Sequence, residues 1–289
     1  MSPSDYLAKA IDIIEQNAYY QPRVTHWDTL VSESLYKASL MNSTEETYSL
    51  IWDLLRALED RHSGLLIPSQ KVDAKVKQQK LPEGSQLGNL GYIKLPEASG
   101  DAAAMQAYID AGQLIIEKQA SAYGWIVDLR ENNGGNMWAM LPSIGAIVGE
   151  RIYGYFVNRE RELFHWGYKD GASFYENDIV YTANNPAQLV SDDYPLAVLV
   201  SNSTASSGEI TLIACLSHPR VRVFGNPTAG IPTANDLFKL DENTTLVLTS
   251  FVTLDTRGNV HETSIIPDVV CTNPLVMAQK WLEAITYRN

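Results

Sequence analysis

Hydrophobic spacing changes character along the chain. In the first seventy residues, apolar positions recur three and four apart: Leu7, Ile11, Ile14 and Ala18 make one face behind Ser4, and Pro22 ends the segment. Leu50, Ile51, Leu54, Leu55 and Leu58 make another, opened by Ser43 with Glu46 three residues on, the pattern of a capping box. The spacing predicts an N-terminal helical subdomain over residues 1–70. Glu59-Asp60-Arg61-His62-Ser63-Gly64 breaks the pattern, and residues 68–88, polar and rich in Lys and Gln, read as a linker or flexible crossing.

From Leu90 onward, short apolar runs alternate with helical stretches, which argues for an α/β domain with a largely buried sheet over residues 71–289. Candidate strands are 91–95, 125–129, 196–201, 221–224 and 245–254; candidate helices are 102–120, 137–148, 207–217 and 275–286. No repeat or low-complexity segment interrupts them.

Composition narrows the function classes. A chain of 289 residues suits one large core with a smaller appendage. Its 22 basic residues are scattered among 34 acidic ones, for a net charge of −12, which argues against a nucleic-acid surface. The acidic balance reads first as solubility and only secondly as a preference for basic peptides. Cys215 and Cys271 lie far apart in no metal-ligand spacing and read as buried apolar side chains, so neither a metal nor a cofactor is expected. No apolar run approaches the roughly 18 residues of a membrane span, and Met1-Ser2-Pro3-Ser4 lacks the regions of a signal peptide. Taken literally the protein is cytoplasmic; trimmed of a signal peptide it would be periplasmic or secreted, and the compartment stays open.

Two turns could carry chemistry, because in each a buried strand ends in small polar residues that open a helix. After Ile126-Val127-Asp128 comes Leu129-Arg130-Glu131-Asn132-Asn133-Gly134-Gly135-Asn136, whose paired glycines let backbone N–H groups point at an oxyanion. The plain alternative is a tight turn that needs Gly only for positive φ. After Leu196–Val200 comes Ser201-Asn202-Ser203-Thr204-Ala205-Ser206-Ser207-Gly208-Glu209, which delivers a hydroxyl to a helix start. Here the alternative is an N-cap serine with Glu209 completing a capping box, a role compatible with catalysis. A serine nucleophile needs a base. Of the five histidines, His62 stands just past an amphipathic helix, where an imidazole can face a cleft. His218 reads as a structural cation at a helix C-terminus, His26 and His165 as surface or packing residues beside tryptophans, and His261 stands next to Glu262.

With these segments in view, the chain resembles peptidase family S41, the C-terminal processing proteases, and especially its branch related to tricorn protease and interphotoreceptor retinoid-binding protein. The resemblance rests on Leu58-Glu59-Asp60-Arg61-His62-Ser63, Gly91-Tyr92-Ile93, Asp128–Gly135, Thr204–Glu209, Phe224–Gly230 and Ile265-Ile266-Pro267-Asp268, all in order. It implies a ClpP/crotonase-like core with an N-terminal helical cap, Ser206 as nucleophile, and an oxyanion hole at Gly134, Gly135 and Ser207. Processing proteases carry a lysine base downstream, but the matching stretch here is Ala229-Gly230-Ile231-Pro232. An isoleucine cannot take a proton, so the resemblance favours His62 as base, with Glu262 as the nearest candidate for the carboxylate before Pro267-Asp268. The register departs in two places: the family's Glu falls closer to His261, and the Ser before the family's His is Arg61 here. The interval from Pro68 to Leu90 is too short for a PDZ domain.

The resulting expectation is a serine peptidase acting on peptide or unfolded protein substrates, with no nucleic-acid partner and with homo-oligomer formation left open. Two rivals share the fold: a catalytically silent lipid- or peptide-binding module, and an acyl-CoA enzyme of the crotonase type that uses backbone amides without a serine.

Overall fold

The computed structural model describes residues 1–67 and 79–286. In chain order the elements are α1 (Pro3–Asn17), α2 (Trp27–Ala38), α3 (Tyr48–Ala57), β1 (Gly64–Leu66), β2 (Glu83–Leu87), β3 (Leu90–Lys94), α4 (Ala102–Lys118), β4 (Trp125–Asp128) and α5 (Met137–Val148). There follow β5 (Arg151–Val157), β6 (Leu163–Lys169), β7 (Ala172–Tyr175), β8 (Asp178–Thr182), β9 (Leu196–Val200), α6 (Ser207–Leu216) and β10 (Val221–Gly225). The chain ends with β11 (Thr233–Lys239), β12 (Thr245–Asp255), β13 (Val260–His261), β14 (Val269–Val270) and α7 (Pro274–Thr286).

The chain forms two compact units. The first comprises Met1–Lys77, Val157–Glu162 and Thr233–Val252, so two later segments join the predicted N-terminal helices. Ser2, not Ser4, caps α1: its Oγ accepts from the Asp5 amide at 3.2 Å, and Tyr6, Leu7, Ala10, Ile11 and Ile14 are buried. Their partners include Leu50, Ile51 and Leu54 of α3 and Leu246 and Leu248 of β12, which β1 and β11 flank in antiparallel pairing. The Ser43/Glu46 capping box does not form. Residues 45–47 make a 3-10 turn, and Glu46 Oε2 instead accepts from the Asn42 amide at 3.1 Å.

The second unit comprises Gln78–Phe156, Leu163–Pro232 and Thr253–Asn289. Its six-stranded sheet has the order β14-β10-β9-β4-β3-β2, parallel except for β2. Residues 83–87, expected within a linker, are thus an edge strand paired with β3; residues 68–78 of that predicted linker lie outside the described residues. Alternation assigns the two faces. Ile126, Ala197, Leu199 and Phe224 pack with Ala278 and Leu282 of α7, and their alternates Trp125, Val127 and Val198, equally buried, turn to the other face. In this register Asp128 and Leu199 are partners, so β4 and β9 end side by side and release both candidate turns at the same edge. The unit also holds strands in the order β5-β6-β7-β8, with β6–β7 and β7–β8 antiparallel, which sequence spacing did not predict.

Candidate active site

The end of β4 is locked by its own motif. Asp128, buried, accepts from the Arg130 amide at 3.0 Å, from Arg130 Nε at 2.9 Å and Nη2 at 2.6 Å, and from the Tyr92 hydroxyl at 2.7 Å. This bidentate pair gives the Asp-Leu-Arg segment a structural role. It raises the Arg130 pKa, chiefly through the Asp128 hydrogen bonds, while burial raises that of Tyr92.

The two turns are then sewn together. Ser201 Oγ donates to Arg130 O at 2.5 Å, Thr204 Oγ1 to Leu129 O at 2.8 Å, the Ala205 amide to Asn132 O at 3.0 Å, and Ser207 Oγ to Gly135 O at 2.6 Å. Four bonds across a few residues leave the hydroxyl-bearing loop little freedom relative to the glycine turn. Ser206, half-buried at the head of α6, adopts φ +50° and ψ −119°, a backbone state that L-residues avoid. Its hydroxyl faces Gly134: a Cβ there would lie 3.1 Å from Ser206 Cβ and 3.5 Å from Oγ. Gly135, at φ +105°, is held against Ala98, whose carbonyl would stand 2.0 Å from an added Cβ, so any side chain there would expel the turn.

The amides of the three oxyanion candidates differ in their partners. Gly134 N–H donates to Asn132 Oδ1 at 3.0 Å and is spent. Among the described residues, the amides of Gly135 and Ser207 donate to no protein acceptor; they follow Gly134, which faces the Ser206 hydroxyl, and Ser206 itself in the chain. Glu209, fully buried, ties this arrangement down. Its Oε2 accepts from the Ser206 amide at 3.0 Å, the capping contact the sequence predicts, and from the Ile231 amide at 2.9 Å. Its Oε1 accepts from Thr228 Oγ1 at 2.5 Å and the Gly230 amide at 2.9 Å.

His62 belongs to the first unit, on a turn that Asp60 builds. Asp60 Oδ1 accepts from the amides of His62 at 2.9 Å and Ser63 at 2.6 Å, and its Oδ2 from Ser63 Oγ at 2.8 Å. The imidazole Nδ1 lies 2.8 Å from Thr233 Oγ1 at the start of β11. Burial lowers the His62 pKa below its usual value, and the Asp60 charge partly opposes that. Thr233 is a partner that no sequence signal marks, being 171 residues away; Asp60, two residues before the histidine, has the spacing of an Asx turn.

Glu262, half-buried, follows β13, and its neighbour His261 puts Nε2 3.1 Å from Asp255 Oδ2. His218 is not the cation expected at a helix end: burial pushes its pKa down to about 4, so it is neutral near pH 7. Cys215 is buried as expected, its thiol pushed up to about 12, whereas Cys271 is only half-buried; both cysteines are free. Among the described residues, no helix is long and apolar enough to cross a membrane, and no group of three or more His, Cys, Asp or Glu could hold a metal ion.

The sheet order, its covering helices and a serine on a strand-to-helix turn define a core of the ClpP/crotonase-like class. The sequence model of peptidase family S41 matches residues 89–271, more than half of the chain, and the chain belongs to that family. It is similar to the nisin-resistance protein of Lactococcus lactis subsp. lactis, at 22% identity over 98% of this chain and 88% of that one. It is also similar to the carboxyl-terminal-processing protease of Synechocystis sp., at 28% identity over 65% of this chain but only 39% of the relative's length. Among solved structures, a lipoprotein from Streptococcus agalactiae shares the fold with a TM-score of 0.84 at 24% identity, covering 98% of this chain and 97% of that one.

Proposed function

We propose that this chain is a serine-type peptidase that cleaves peptide bonds through an acyl-enzyme on Ser206, with His62 as general base. The observation that carries the reading is the Ser206 turn: a hydroxyl held at a strained φ of +50° beside Gly134, with the amides of the residues next in chain, Gly135 and Ser207, donating to no acceptor among the described residues. Strain of this kind persists only where surrounding structure enforces it, and active sites are where it collects.

In the proposed sequence, His62 takes the Ser206 proton as Oγ attacks the substrate carbonyl carbon. The amides of Gly135 and Ser207 receive the developing oxyanion, with the α6 N-terminus adding positive potential. The tetrahedral intermediate collapses, the imidazolium returns its proton to the leaving amine, and water repeats the steps to release the acid. With the Nδ1 proton donated to Thr233 Oγ1, the lone pair that accepts the Ser206 proton lies on Nε2. Thr233 thereby takes the orienting role, and Glu262 is proposed to favour the imidazolium through its charge. The lowered His62 pKa supports a base, because the imidazole stays neutral and able to accept a proton.

The substrate class is peptide. Nisin is the first peptide to test, since the nisin-resistance protein is similar along 98% of this chain. Ser206→Ala should abolish turnover of a cleaved peptide and leave the melting profile folded; cleavage at the parental rate by that variant would sink the assignment. A silent binding module, or an acyl-CoA enzyme without a serine nucleophile, would give no fluorophosphonate adduct at Ser206.

A further inference from the structure

On the serine-peptidase reading, we infer that Asn132 is the positioning residue that sets both amides of the oxyanion hole. Asn132 is fully buried, and its polar atoms bind four separate pieces of the site. Its side-chain Oδ1 accepts from the Gly134 amide at 3.0 Å. Nδ2 donates to Leu95 O and Pro96 O, each at 3.2 Å, and lies 3.4 Å from Met140 Sδ. The main-chain carbonyl accepts from the Ala205 amide at 3.0 Å, and the main-chain amide donates to Leu129 O at 3.0 Å.

These contacts act on the two halves of the hole separately. On the glycine side, Oδ1 draws the Gly134 N–H inward, and the Gly135 amide is the next donor in line. The same side chain is anchored at Leu95 and Pro96, three and two residues ahead of Ala98, against which Gly135 is held. On the serine side, Asn132 O holds the Ala205 amide, and Ala205 O accepts from the Gly208 amide at 2.8 Å, so the Ser207 peptide is fixed from both ends. The helix passes so close that a Cβ on Gly208 would lie 2.7 Å from Asn132 O and 2.8 Å from its Oδ1. A primary amide suits this position because it accepts at one end and donates twice at the other. A carboxylate would set an oxygen against two carbonyls, and an apolar side chain would leave the buried Gly134 amide unpaired.

The test compares two ligands. A peptide aldehyde forms a hemiacetal with Ser206 whose oxygen needs the oxyanion amides, whereas the matching peptide alcohol makes the same side-chain contacts without that oxygen. Asn132→Ala and Asn132→Asp are expected to weaken the aldehyde on the order of 100-fold and to lower kcat in step, because misaimed donors are lost in the transition state. Alcohol affinity and KM should stay within about threefold, since uniform binding is untouched. Asn132→Asp keeps the shape and the Oδ1 acceptor, so it carries the test where Asn132→Ala fails to fold. Unchanged aldehyde affinity in a folded variant, or equal losses for aldehyde and alcohol, would overturn the role of Asn132. A parent chain that takes no fluorophosphonate label at Ser206 would instead fail the serine-peptidase reading on which this role rests.

Discussion

Ser206 offers a stability measurement whose sign depends on its backbone. At an ordinary position, replacing Ala by Gly costs about 0.5–1 kcal/mol, because Gly loses more freedom on folding. At φ +50° and ψ −119° the Cβ itself is strained, at a cost of roughly 1–3 kcal/mol that only Gly escapes. Ser206→Ala keeps the Cβ and removes Oγ; Ser206→Gly removes both. The difference between the two variants therefore isolates the strain: Gly should be the more stable by up to about 2 kcal/mol. For a chain of this size that is a rise in melting midpoint of up to about 4 °C, readable by calorimetry. Both variants should be inactive. A Gly variant that melts below the Ala variant would refute the strained-turn account, whatever the activities.

The pH behaviour of the histidines follows from their burial. Activity that requires neutral His62 should persist into acid below the ordinary histidine range, and Asp60→Asn, by deleting the charge that raises this pKa, should move the acid limb of kcat/KM lower still. His218 has a folded pKa of about 4, so the unfolded chain binds more protons between that value and about 6.5. Its contribution to stability is thus full above pH 6.5 and is lost as pH falls toward 4, on the order of 3 kcal/mol in all, and a His218→Gln variant should flatten that part of a urea-denaturation pH series. Glu209→Gln puts a donor amide among four donors and should cost about 1–3 kcal/mol by urea titration, along with most of the turnover. Thr233→Val should lower kcat more than Glu262→Gln does, if orientation of Nδ1 outweighs a carboxylate acting through charge.

Much of the second unit was legible because its strands are buried on both faces and its helices carry unbroken apolar spacing. The turns at the ends of β4 and β9 are legible in Gly134-Gly135 and in Thr204–Glu209. The β5–β8 strands were not, because their faces mix aromatic, charged and exposed positions: Ile179 of β8 is 71% exposed and Trp166 of β6 is fully buried. Residues 83–87 escaped for a similar reason, since an exposed edge strand of Glu, Gly, Ser and Gln lacks the alternation that marks a half-buried one. Among candidate site residues, local signals singled out the Ser206 hydroxyl, the His62 imidazole and the paired glycines. They did not find Thr233 or the many contacts of Asn132, which depend on strands brought together from distant parts of the chain. Gly134 fits the turn as expected, but its amide is turned to Asn132, a distinction of one peptide plane that spacing does not encode.

Fluorophosphonate labelling of the intact chain, with the adduct mapped by mass spectrometry, tests the nucleophile most directly. The account predicts a single covalent adduct on residue 206, formed much more slowly once the residue 62 imidazole is replaced by alanine. Labelling at any other side chain, or an adduct that forms equally fast without that imidazole, would contradict it.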